Sequence, residues 1–429
     1  MSDFYLYLSQ FINILLDLWW LWLAILLYRP TKYLWLWAAR DVKFYGRIKW
    51  VLLEIKIPVE VEKTPKAMEN VFHTIWNMYD PPANIRQYWI DGKWMEYYSL
   101  EIVGRHGEIH FYIRTPESRR HVLESAIYGQ YPDADIKEVD DYVYKFGQDL
   151  PNEDYDVWAS DLKLIKPDAY PIRTYDYWET ELTREEKRVD PLASLFEMYG
   201  NLKEGEEVWV QIRIAPVTDD EHPYLEESKK LINKLMRRPT EEKAGLLDPL
   251  AFSKVPSDVW KVLIEGKPIP SHLKEELPGA LDIGLMKLSP GEAEALRLTE
   301  ENLGKYVYEG NLRFIYVAKR EIFSPARGVA AIMGAFTQFS TVNLNGFKPD
   351  KTKTMVTPWF LEGRRLYVRK RKNFRYYAKR MWPWHRKPYI FSTAELATMY
   401  HFPGRAVAPA TAVSRMEIKK GGPPPVLPT

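Results

Sequence analysis

YYSLEIVGRHGEIHFYIR, residues 97–114, is the stretch on which the fold turns. Two alternating runs, 97–105 and 108–114, flank a GRHG turn, so it predicts a β-hairpin with Ile109, Phe111 and Ile113 facing inward. On its N-terminal side, WVLLEIKIPV (50–59) places Val51, Leu53, Ile55, Ile57 and Val59 on one strand face. Thr64-Pro65 then pairs a hydroxyl N-cap with proline at the first helical position. The helix it opens spaces Met68, Val71, Phe72, Ile75, Trp76 and Tyr79 along one stripe. On the C-terminal side, Thr115-Pro116 opens a second helix with Val122, Leu123, Ala126 and Ile127 inside, and ADIKEV (134–139) closes as a strand. The order βαββαβ predicts a ferredoxin-like unit over 50–145.

The same order comes round again. YDVWASDLKL (155–164), EEVWVQIRIAPV (206–217), NLRFIYVAK (311–319) and TVNLNGF (341–347) read as strands. Asp190-Pro191 and Ser324-Pro325 open helices in the matching slots. This predicts a second ferredoxin-like unit, built from 150–217 and 309–347, with a charged helical insertion at 218–308. The insertion reads equally as a cap over the sheet and as a partner-binding arm.

Residues 4–28, FYLYLSQFINILLDLWWLWLAILLY, carry no Lys or Arg. As one helix they would extend about 37 Å, against a hydrocarbon core of about 30 Å. The expectation is a transmembrane anchor over 1–30, followed by a basic and aromatic interfacial segment at 31–49. Arg29, Lys32, Arg40, Lys43, Arg47 and Lys49 follow the span, which predicts a single pass in the cell membrane with the N-terminus outside and the body in the cytoplasm. Gln10, Asn13 and Asp17 share one helical face. That stripe either reaches water or faces another membrane helix, which would make the chain a homo-oligomer or bring a partner. The expected fold class is thus α+β: a transmembrane helix, then two tandem ferredoxin-like units.

Sixty Lys and Arg against 58 Asp and Glu select no partner by total charge. Cysteine is absent, which removes disulfides, thiolate metal sites and cysteine nucleophiles. No Walker A loop, GxSxG, HExxH or GxGxxG occurs, so no catalytic residue, cofactor or metal is assigned and the chain reads as a non-enzyme. His106, Glu108 and His110 alternate along the hairpin, but His106 lies in the turn, and a metal needs three or four held ligands.

From 348 to 404 the composition shifts. RRLYVRKRKNFRYYAKRMWPWHRK (364–387) holds eleven Lys and Arg, no acid and six aromatic residues. Arg369, Lys370, Arg371, Lys372, Arg375, Lys379 and Arg380, interleaved with Tyr376, Tyr377, Trp382 and Trp384, are candidates for phosphates. The same charges serve membrane lipids, an acidic protein or, with less support, nucleic acid. A Pro/Gly-rich tail fills 405–429.

FSTAELATMYHFPG (391–404) resembles a segment lying just before the motor domain of HerA/FtsK-like conjugation and type IV secretion ATPases. The similarity rests on Thr393, Glu395, Leu396, Ala397, Thr398, Tyr400, His401, Phe402 and Pro403, with PPPVLPT (423–429) similar to the linker that follows. Stretches 63–72, 108–136, 208–217 and 312–323 look like the membrane-linked N-terminal region of the same family. The sequence contains no phosphate-binding domain, either because the motor is a separate chain or because the chain is truncated, so the family's ATP hydrolysis passes to no residue here. The resemblance implies a membrane-anchored adaptor docking a separately encoded P-loop ATPase, with the 393–403 residues as candidate contacts. The alternative is an unrelated membrane scaffold that binds protein or anionic lipid through its sheets.

Overall fold

Among the described residues, nine strands form one antiparallel sheet. They are β1 (Trp50–Lys56), β2 (Tyr98–Arg105), β3 (Glu108–Pro116), β4 (Asp135–Glu138), β5 (Tyr155–Leu164), β6 (Glu206–Pro216), β7 (Val307–Lys319), β8 (Phe347–Pro349) and β9 (Tyr389–Ser392). The spatial order is β4-β1-β3-β2-β6-β7-β5-β8, with β9 paired to β7. The computed structural model describes residues 13, 17, 19–58, 63–147, 149–178, 190–220, 222–236, 288–350, 359–381 and 388–404.

This corrects the expectation of two ferredoxin-like units. β2 and β6, each the free edge of an expected unit, pair continuously from Tyr98↔Ile214 to Arg105↔Glu207. Joining them satisfies two rows of backbone donors and acceptors that would otherwise face water. Hydrophobic alternation specifies which face of a strand is buried and is silent about its edges.

Helices α1 (Trp19–Trp37), α2 (Pro65–Trp76), α3 (Arg120–Gln130), α4 (Ala193–Gly200), α5 (Tyr224–Leu235), α6 (Pro290–Leu303), α7 (Pro325–Thr337), α8 (Glu362–Ala378) and α9 (Thr393–Met399) complete the description. α2, α3, α4, α7 and α9 cover one sheet face, where Val208, Val210, Ile212 and Ile214 of β6 join Phe72, Ile127, Phe196 and Leu396 in the main core. α8 and a short turn at Tyr142–Phe146 cover the other, so β6 is buried along its whole length. Val122, expected inside, is 41% exposed: the chain makes a 3-10 turn at Glu117–Arg119 before α3, which rotates that position outward. Of the 218–308 insertion, α5 and α6 pack together, and residues 237–287 lie outside the described residues.

The transmembrane expectation is also corrected. Among the described residues, no helix is long and apolar enough to cross a membrane. The described helix carries Arg29, Pro30 and Lys32 inside it, and most of the 4–18 half of the expected span lies outside the described residues. The single-pass topology, with the N-terminus outside, falls with it. Asn13 and Asp17 are exposed and Gln10 lies outside the described residues. The expected interfacial segment instead folds back on the body. Leu36 and Ala39 are buried, Trp35 Nε1 donates to the Trp89 carbonyl (2.7 Å), and the Arg40 guanidinium sits 3.8 Å from the Trp94 ring centroid.

Candidate functional site

The face beneath α8 is built on a buried polar row. Tyr112, Glu101, Gln211, Arg313 and Asp161 are cross-strand neighbours through β3, β2, β6, β7 and β5. Because side chains alternate, all five point to one face of the sheet. Such groups in an interior need partners, and α8 supplies them. Arg313 Nη1 donates to the Tyr376 carbonyl (2.8 Å) and Nη2 to the Met381 carbonyl (3.2 Å), capping the end of the helix.

Just past that end, Arg380 adopts a left-handed backbone (φ 49°) and turns into the sheet, where it is 1% exposed. Its Nε and Nη2 each donate to one carboxylate oxygen of Glu101, both at 2.9 Å, and it also pairs with Asp141. Ser99 (2.6 Å), Tyr142 (2.7 Å) and Gln211 (2.9 Å) donate to the same carboxylate. Burial opposes ionisation of Glu101, but the charge and hydrogen bonds of Arg380, with those of Ser99 and Tyr142, hold it down to about 2. The pair therefore stays ionised inside the protein. Tyr377, fully buried, closes the cluster through Tyr142 (2.7 Å between hydroxyls) and packs on Trp209.

The rest of α8 divides in two. Over its second half, Lys370 Nζ meets both oxygens of Asp156 (2.6 and 2.7 Å), while Arg371 and Arg375 grip Asp149. Lys370, Phe374 and Tyr377 are the inward stripe, at helical spacing. Over the first half, and over residues 359–361 just ahead of the helix, nothing is buried. Trp359 (95% exposed), Phe360, Leu361, Tyr367 and Val368 stand in solvent beside Arg364 and Arg365.

The basic-run candidates are thus not one surface. Lys370, Arg371, Arg375, Arg380 and Tyr377 serve the fold. Lys372 and Lys379 are exposed, the Lys372 ammonium 5.4 Å from the Tyr376 ring centroid. Arg369 and Tyr376 are half-buried on the flank. Trp382 and Trp384 lie outside the described residues. Trp359, Phe360, Leu361, Arg364 and Arg365 lie ahead of the densest charge, where the candidates concentrate. The signal that marks them is the apolar triplet Trp359–Leu361 just ahead of two arginines, with no helical stripe to bury it.

The 393–403 candidates are placed in the interior. Ser392 and Glu395 form a reciprocal cap at the start of α9: Glu395 accepts from the Ser392 backbone (2.8 Å) and Ser392 Oγ from the Glu395 backbone (3.3 Å). Glu395 also accepts from the Ile172 N–H (2.8 Å), and burial pushes its carboxyl up to about 7. Thr393 donates to Glu69 (3.0 Å) and Thr398 accepts from the Tyr175 N–H (2.9 Å). Leu396, Ala397, Tyr400 and Phe402 join the main core, and the Tyr400 hydroxyl donates to the Tyr112 carbonyl (3.2 Å). His401 bridges the Ala397 carbonyl (2.8 Å) and Asp190 (3.1 Å), and Pro403 is buried behind it. As a surface these residues offer a partner nothing. They join α2 and the sheet to Ile172, Tyr175 and Asp190.

Among the described residues, no group of His, Asp and Glu could hold a metal. His110 of the hairpin pairs with Glu54 (2.8 Å).

Fold and site together define an α+β sheet scaffold that clamps a basic helix by one half and displays the other. The chain belongs to the family described as a domain of unknown function, DUF8128, whose profile matches residues 47–412. That match runs from just before β1 to beyond α9 and so takes in the whole sheet. No curated protein matches the sequence.

Proposed function

We propose that the chain is a non-enzymatic adaptor that docks a separately encoded P-loop ATPase of the HerA/FtsK type, with the displayed half of α8 as its contact. The resemblance at 391–404 supplies the identity of the partner. The observation that carries the reading is the division of α8 and the residues leading into it: ion pairs to Asp149 and Asp156 fix the second half of the helix, while Trp359, Phe360 and Leu361 ahead of it and Tyr367 and Val368 in its first half stay in water beside Arg364 and Arg365. Rigid aromatic and arginine side chains next to aliphatic ones are what protein interfaces concentrate at their centres. Their charge suits an acidic partner surface.

Single-stranded nucleic acid fits less well. Of the basic run's candidate stacking rings, Tyr377 is spent inside the fold. Much of the basic run's charge is neutralised by the protein's own carboxylates.

A photo-crosslinking residue at position 367 tests the assignment against a control at exposed position 128 on α3. With the P-loop ATPase encoded nearest to this chain, the 367 probe is expected to give the crosslinked product and the 128 probe not. Equal crosslinking from both, or none from 367, overturns the reading.

A further inference from the structure

The start of α1 stands clear of the body. From Trp19 to Tyr28 each residue is Trp, Leu, Ala, Ile or Tyr, and every described side chain is exposed. At about 3.6 residues per turn this stretch winds round more than twice, so apolar side chains lie on every side of the helix. Trp19, Trp20, Ile25, Leu26 and Tyr28 are each more than half exposed. They leave several hundred Å² of contiguous apolar surface in water, on the order of the 800 Å² that one partner gives to a stable interface. The next stretch is held: Trp35 bonds to the Trp89 carbonyl, and the Lys32 ammonium lies 5.5 Å from the Trp89 ring centroid.

One stripe of this helix reads the same in both directions. Asp17, just ahead of α1, is helical and exposed. Asp17, Leu21, Ala24, Ile25, Tyr28 and Lys32 follow one another at intervals that keep them on one helical face. Arg29 and Pro30 fall off that face. The intervals are symmetric about the Ala24–Ile25 peptide. An antiparallel copy of the same helix would therefore set Asp17 against Lys32, Leu21 against Tyr28 and Ala24 against Ile25, with every contact made twice about a two-fold axis. Ala24 at the crossing lets the two backbones approach, and the charged ends meet with opposite sign. A parallel pair would set Asp17 against Asp17 and Lys32 against Lys32.

We propose that α1 is a self-association element, through which two copies of the chain pair as antiparallel helices along this stripe. A lipid surface would also cover the apolar side chains, but it offers Asp17 no cation and makes an ionised carboxylate costly beside hydrocarbon. A second copy supplies that cation from Lys32. The pairing is independent of the contact assigned to α8.

Sedimentation equilibrium of the full-length chain over a concentration series should show a monomer–dimer equilibrium. Asp17→Lys or Lys32→Asp brings like charges together at both ends of the pair and should weaken the dimer about tenfold, and the two changes combined should restore it. The chain has no cysteine, so single introduced cysteines report the register. On oxidation, a mixture of Leu21→Cys and Tyr28→Cys chains should cross-link to each other in preference to themselves. Flotation with vesicles of phosphatidylcholine and phosphatidylglycerol measures the lipid alternative. A chain that stays monomeric to about 100 μM, or that floats with the vesicles as a monomer, overturns the proposal. So does a dimer indifferent to the charge changes, or one in which Leu21→Cys chains cross-link chiefly among themselves.

Discussion

Replacing Arg380 with Met removes the guanidinium from an ion pair in which both side chains are fully buried. Glu101 then keeps Ser99, Tyr142 and Gln211 as donors but loses its counter-charge and two hydrogen bonds. The fall of Glu101 from an ordinary 4.5 to about 2 is worth about 3 kcal/mol. Breaking a buried pair from one side costs about 3–5 kcal/mol. R380M should therefore lower stability by about 3–5 kcal/mol, read as a fall in the urea midpoint at pH 7. It should also make the chain around 379–381 the first site of limited proteolysis, because Arg380 anchors the end of α8. Adding Glu101→Leu removes the stranded carboxylate, so the double variant should lose less than the two single changes summed, by at least about 1 kcal/mol. A cost below about 1 kcal/mol for R380M, or strict additivity, would refute the buried pair as the anchor of α8.

Three further outcomes follow from the same geometry. Asp149→Asn, which loosens the partly exposed grip on Arg371 and Arg375, should cost no more than about 1 kcal/mol, in contrast to R380M. Glu395 has a folded-state value raised to about 7, so its contribution is complete below about pH 4.5 and is lost as pH rises through 7. Glu101, held down to about 2, contributes above about pH 4.5 and is lost as pH falls through 2. Stability measured across pH should thus decline on both sides, and Glu395→Gln should flatten the alkaline limb between about 4.5 and 7 while leaving the acid limb. An unchanged alkaline limb would show that Glu395 does not titrate there. Gly310→Ala should cost about 1–3 kcal/mol by chemical denaturation, because a β-carbon at 310 would lie 2.5 Å from the Phe391 ring and push β9 off β7. Wild-type stability would mean that β9 is not seated as described.

Strand faces and two of the four expected helix starts were legible because they depend on neighbours in sequence, whereas Thr115-Pro116 ends β3 and its helix begins only at Arg120. Val208, Val210, Ile212 and Ile214 face the core their alternation predicts, and Thr64-Pro65 and Ser324-Pro325 lie where α2 and α7 begin. The β2–β6 seam was not legible, since nothing in a strand's own pattern names the edge it will meet. The basic run misled for a related reason. Charge counting cannot tell an inward cation from an outward one when the partners, Asp156, Asp149 and Glu101, lie more than two hundred residues earlier. The spacing of Lys370, Phe374 and Tyr377 carried the buried stripe, but the charges on either side hid it. In 391–404, the Ser392–Glu395 pair was readable as a cap, and capping residues that start a helix inside a core are poor contacts for a partner.

Equilibrium binding of the full-length chain to the P-loop ATPase tests the central claim most directly, comparing wild type with Trp359→Ala and with the pair Arg364→Glu, Arg365→Glu. Trp359 lies just ahead of α8 and Arg364 and Arg365 in its first turn; all three are exposed and none belongs to the core cluster under α8, so the fold should stay intact. The account predicts saturable binding by the wild type that weakens about 30-fold or more in each variant, with the charge-reversed pair also losing its salt dependence. Equal affinity in all three proteins, or no binding by the wild type, would contradict it.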